Sequence, residues 1–108
     1  MKLALSLLGG LLVATPTLGA ELSLARQAEL VRLVRQDCGS CHGMRLTGGL
    51  GSPLTATALQ DRFPPSLVAT VLDGRPGTAM PPWRAFLSEA EATWIVAQLQ
   101  AGFPGGDP

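Results

Sequence analysis

The sequence predicts an all-α domain, and three observations carry that reading. Apolar residues recur at helical spacing between Ser23 and about Gln36, and again between Ser88 and Gly102. No stretch alternates apolar and polar residues as a half-buried strand would. No internal repeat or second boundary interrupts the chain, so residues 21–108 read as one small domain behind a leader.

The leader is the first element. Met1-Lys2 precedes an uncharged, leucine-rich stretch from Leu3 to Val13, and Pro16, Thr17, Gly19 and Ala20 follow, which is the layout of a secretory signal over residues 1–20. Cleavage is expected after Gly19 or Ala20. The alternative is an uncleaved membrane anchor, since no charge occurs from Leu3 to Ala20, although Thr15, Pro16 and Thr17 interrupt its end. No cysteine lies near the cleavage region, which excludes a lipid anchor there. The expected destination is the periplasm, and the expected state is monomeric.

The first mature helix runs from Ser23 to about Gln36, with Leu24, Ala28, Leu30, Val31, Leu33 and Val34 as its apolar stripe and Arg26, Arg32 and Arg35 outside it. Gly43 to Pro53 carries glycines at 43, 48, 49 and 51 and reads as a loop. A short helix is expected from Thr55 to Asp61. Pro64-Pro65 suits the entrance to the next, with Leu67, Val68, Val71 and Leu72 as its apolar face and Asp73-Gly74 as its stop. Arg75 to Trp83 is a loop stiffened by prolines. Ser88 and Glu91 form a capping-box pattern that opens the last helix, whose apolar side is Trp94, Ile95, Val96 and Leu99. Phe103 to Pro108 is expected to be a tail with little means to order itself.

Between the first helix and the glycine loop stands Cys38-Gly39-Ser40-Cys41-His42, the attachment signature of c-type haem. Residues three apart share one face of a helical turn, so both thiols reach the two vinyl groups on one side of a porphyrin, and His42 is then placed to ligate the iron. These are the only cysteines and the only histidine in the chain. Structural zinc wants four such ligands, a thioredoxin-like dithiol expects a βαβ context, and a disulfide across so short a loop gains little. One covalent haem c is the expected cofactor, and it supplies the apolar core that so short a domain lacks.

The sixth iron position decides between electron transfer and ligand chemistry. Met1 lies in the leader and Met44 is two residues past His42, which leaves Met80, on a loop stiffened by Pro76, Pro81 and Pro82. The expected metal ligands are therefore His42 and Met80. Arg75 and Trp83 flank this loop, and their donor groups suit the haem propionates. Residues 21–108 carry seven arginines, no lysine and eight acids, a net charge of −1. No basic patch for nucleic acid exists, so the expected partner meets an apolar haem edge with scattered arginines around it.

In the order helix, Cys-x-x-Cys-His, helices, Met-Pro loop and C-terminal helix, the chain resembles the small class I c-type cytochromes. The segment Arg75-Pro76-Gly77-Thr78-Ala79-Met80-Pro81-Pro82-Trp83 is most similar to the NirC type, the monohaem cytochrome encoded with the haem-d-type nitrite reductase of denitrifying bacteria. The resemblance implies N- and C-terminal helices that cross, with short helices and loops around one haem. It implies that Ser52 or Pro53 lends a carbonyl oxygen to the ring proton of His42, because Gly51-Ser52-Pro53-Leu54 stands where the family has Gly-Pro-x-Leu, and it brings Leu54 to the haem. The family's aromatic residue near the end of the last helix is replaced by Gln98. The implied function is one-electron transfer without catalysis, either supplying nitrite reductase or serving maturation of its special haem. Two other readings stay open: a ligand-binding or peroxidase-like haem protein with a labile Met80, and a docking factor for maturation.

Overall fold

The computed structural model describes residues 2–4, 6, 8–12 and 22–104, and among them every regular element is helical. Most of the expected leader and its cleavage region lie outside the described residues, as do residues 105–108. No described helix is long and apolar enough to cross a membrane.

Ser23 opens α1 (Leu24–Leu33), its Oγ accepting the Arg26 N–H at 3.1 Å. The rod does not stop at Gln36. It widens through a π-helical turn, Val34–Cys38, in which the Gly39 N–H bonds back to the Val34 carbonyl, and continues as α2 (Gly39–His42). Such a turn inserts one residue without breaking the helix and so re-aims everything that follows. It is this turn that presents the cysteines and the histidine at the end of one rod. Leu30 of α1 and Val34 of the π-helical turn are fully buried, whereas Leu24 and Ala28 of the expected stripe are exposed, Leu24 by 83 %, because the core reaches only the second half of the helix.

Thr55 caps the single turn α3 (Ala56–Leu59), and α4 (Pro64–Asp73) starts on its two prolines, where a missing N–H costs nothing. Gly74 ends α4 at φ +69°, a conformation that other residues adopt only with strain. The last helix, α5 (Glu89–Ala101), has the full capping box: Ser88 Oγ accepts the Glu91 N–H at 3.1 Å and Glu91 Oε1 accepts the Ser88 N–H at 2.9 Å.

The core forms where α5 packs on α3 and α4, and Leu30, Val34, Ala92, Ile95 and Leu99 belong to its one buried cluster. Each fully buried leucine or isoleucine there contributes about 1.5–3 kcal/mol. Gln100 Nε2 donates to the carbonyls of Leu59 at 2.9 Å and Arg62 at 3.0 Å, tying α5 to the end of α3. The two terminal helices are pinned at both ends. Arg26 Nε donates to Glu91 at one end, and at the other Arg35 donates to the Pro104 carbonyl at 3.2 Å with its guanidinium 5.2 Å from the centre of the Phe103 ring. Phe103 therefore belongs to the domain and not to a free tail. It is half-buried against the core, because Gly102 at φ +94° turns the chain back after α5. The aromatic residue at this end of the helix pair is thus Phe103, just beyond α5.

Candidate functional site: a haem attachment site and a methionine loop

The end of α2 leaves carbonyl groups without helical donors, and the glycine loop supplies them. Gly51 N–H donates to Cys41 O at 2.7 Å, and Gly48 N–H to His42 O at 2.8 Å. The loop thus folds back onto the attachment motif and brings Ser52 under the imidazole, with His42 Nδ1 2.7 Å from Ser52 O. A carbonyl oxygen only accepts, so Nδ1 carries a proton, and in the neutral imidazole Nε2 then keeps its lone pair for a metal. Pro53 biases Ser52 toward extended backbone, which aims that carbonyl. Glycine is required at 51, where a β-carbon would sit 2.7 Å from Cε1 and Nδ1 of His42. The loop is closed by Leu46, buried at a left-handed φ of +61°, whose carbonyl accepts the Leu54 N–H at 2.8 Å. That conformation costs about 1–2 kcal/mol, comparable to what burying the leucine returns.

Cys41 is exposed, whereas Cys38 is half-buried and its thiol is pushed up to about 11, chiefly by burial and further by neighbouring Asp37. Neither is in a disulfide. Among the described residues no three His, Cys, Asp or Glu side chains converge on a bare metal ion. The donor set is instead that of a macrocycle: two thiols three residues apart, neither in a disulfide, followed directly by an imidazole whose Nδ1 is engaged by Ser52 O.

Met80 is placed by a separate unit built on the end of α4. The Trp83 and Arg84 N–H groups donate to the carbonyls of Val71 at 3.0 Å and Leu72 at 3.1 Å, satisfying the last turn of α4 much as the glycine loop satisfies α2. Arg84 also pairs with Asp73 at 2.8 Å. Inside this closure Met80 O accepts the Arg75 N–H at 3.2 Å and lies against Gly74, where a β-carbon would be only 2.6 Å from it. Met80 is half-buried. The Arg75 side chain is exposed on the rim, and Trp83 is half-buried with its ring 5.9 Å from that of Phe86. Cys38, Leu54 and Trp83 pack against the same hydrophobic core, so the two units share one support. The sequence places Gly51 in the glycine loop and Gly74 at the stop of α4, but the close approach of each to a site residue, and any part for Thr78, emerge only in the structure.

The family of cytochrome c oxidase, cbb3-type, subunit III matches residues 25–99, which span α1, the attachment motif, the Met80 loop and most of α5. Cytochrome c55X of Paracoccus denitrificans is 54 % identical over 92 % of this chain and 91 % of its own length. The chain belongs to the cytochrome c family, among the cytochromes c55X. The cytochrome is an electron-transfer protein and carries haem c, joined covalently through Cys38 and Cys41. Its fold is that of the solved c-type cytochrome NirC, which is 56 % identical and superposes with a TM-score of 0.73, covering 74 % of this chain and 94 % of that one. A second solved structure, dihydro-heme d1 dehydrogenase NirN in complex with DHE, is 34 % identical with a TM-score of 0.62, covering 71 % of this chain but only 17 % of the dehydrogenase.

Proposed function

We propose that the cytochrome is a periplasmic one-electron carrier with His42 and Met80 as axial iron ligands, exchanging electrons with the haem-d-type nitrite reductase system. The observation that carries the ligand assignment is the His42 Nδ1 to Ser52 O contact of 2.7 Å, which leaves Nε2 as the free donor atom of the ring. When bound, the haem supplies a one-electron couple. The chain supplies the rest. Cys38 and Cys41 hold the group in one orientation, Ser52 keeps the imidazole turned, and the α4-anchored loop presents a soft thioether that favours the ferrous state. Residues 1–20, read as a cleaved signal, deliver the domain to the compartment where such attachment occurs.

The likeness to NirC supports a role with the nitrite reductase. The likeness to one segment of a dihydro-heme d1 dehydrogenase supports a second reading, in which the cytochrome exchanges electrons during maturation of the reductase's special haem. Rapid mixing tests both. Reduced cytochrome should be oxidised by purified nitrite reductase in a concentration-dependent phase, and oxidised cytochrome should be reduced by a dehydrogenase turning over its tetrapyrrole substrate. Failure of both transfers with a low-spin, redox-active cytochrome would overturn the assignment of partner. Ligation is tested by Met80→Ala, which should keep the haem, bind imidazole or carbon monoxide readily and lower the potential by about 59 mV for each tenfold loss of ferrous preference.

A further inference from the structure

Thr78 is exposed, yet its hydroxyl is engaged on both sides. Oγ1 donates to the Arg75 carbonyl at 2.7 Å and accepts the Met80 N–H at 3.3 Å, while the Thr78 N–H also donates to Arg75 O at 3.0 Å. Arg75 in turn donates its N–H to Met80 O at 3.2 Å. The backbone of Met80 is therefore gripped at its amide by Thr78 and at its carbonyl by Arg75, and the turn closes through one hydroxyl. Gly77 at φ +79° lets the chain make that turn.

From this we infer that Thr78 is a positioning residue for Met80: its hydroxyl sets the strength of the sulfur ligand by holding the Met80 backbone in a fixed place. The inference rests on the ligation proposed above. A thioether is a weak ligand, and its hold on iron depends on how little freedom the loop has to move away. A valine at 78 keeps the β-branched shape but has no hydroxyl, so the Met80 amide loses its partner and the turn can open. Proline rigidity at 76, 81 and 82 does not replace this bond, because the Met80 N–H donates to Thr78 and to none of those residues.

The test compares holoprotein of wild type, Thr78→Val, Thr78→Ser and Met80→Ala by imidazole titration of the ferric form, by the near-infrared sulfur-to-iron charge-transfer band, and by potential. Thr78→Val should bind imidazole about fivefold more tightly, the equilibrium equivalent of one neutral hydrogen bond, with a weakened charge-transfer band and a lower potential. Thr78→Ser, which restores the hydroxyl, should return all three to within about twofold of wild type on the same scale. A Thr78→Val protein identical to wild type, beside a Met80→Ala protein with an open iron, would overturn the role of Thr78 alone. A Met80→Ala protein identical to wild type would overturn the ligation and this role together.

Discussion

Gly51 lies flat against His42, so close that any β-carbon at position 51 would be 2.7 Å from two atoms of the imidazole ring. The same residue donates its N–H to Cys41 O at 2.7 Å, which ties it to the end of α2 beside the ring. The placement of the His42 imidazole is thus constrained by a residue with no side chain.

Replacing Gly51 with alanine should therefore turn the imidazole or break the Gly51 to Cys41 bond. Overpacking of this kind costs about 1–3 kcal/mol. The expected outcome is a lower yield of holoprotein and a lower denaturation midpoint followed by haem absorbance; a variant with the wild-type midpoint and spectrum would show that the loop relaxes freely.

Covalent attachment makes a sharp prediction for the denatured chain. Haem should stay with the polypeptide through acid-acetone extraction in the wild type. Cys41→Ser should retain one thioether at most and mature poorly, because the apo-domain has a small core. Complete extraction of haem from the wild-type protein would contradict attachment through Cys38 and Cys41.

Glu91 links the capping box of α5 to Arg26 of α1, and the Arg26 guanidinium together with the Ser88 N–H holds its carboxyl below the usual range. A carboxylate depressed in the folded state stabilises above its unfolded value of about 4.3 and loses that contribution as pH falls through the lower folded value. Glu91→Gln keeps a capping-box residue while removing the charge. Its thermal midpoint should fall below that of wild type at pH 7, and the two curves should converge under acid conditions. Parallel curves from pH 7 to pH 3 would remove Glu91 from the acid limb.

Phe103 closes the far end of the terminal helix pair under Arg35. Phe103→Ala removes half-buried apolar surface and a cation–π contact, a loss of about 1–2 kcal/mol. Chemical denaturation of the holoprotein should show it, and the haem spectrum should not change, since the contact belongs to the helix pair.

Deleting the hydroxyl of Ser88 tests the opposite end. Ser88→Ala should cost about 1 kcal/mol, the usual value of a lost N-cap. Equal midpoints for wild type and variant would mean that the Arg26 to Glu91 contact alone holds the first turn of α5.

The sequence by itself determined the chemistry of this protein and the kind of structure that carries it. Cys38, Cys41 and His42 at their fixed spacing left few groups other than haem to consider, Met80 was the remaining soft ligand, and the Ser88 and Glu91 pattern marked the start of α5 because a capping box acts over a single turn. Local rules sufficed wherever the interaction partners are neighbours in the chain. Tertiary structure decided what depends on contacts across the fold. Only there do the orphan carbonyls at the ends of α2 and α4 meet the N–H groups of Gly51, Gly48, Trp83 and Arg84, and only there does Ser52, and not Pro53, come within 2.7 Å of His42. The π-helical turn at Val34–Cys38, whose Val34 lies in the buried core, and the return of Phe103 to that core likewise have no local signature. A motif names the atoms that react; the closing of helix ends by distant loops decides where those atoms are held.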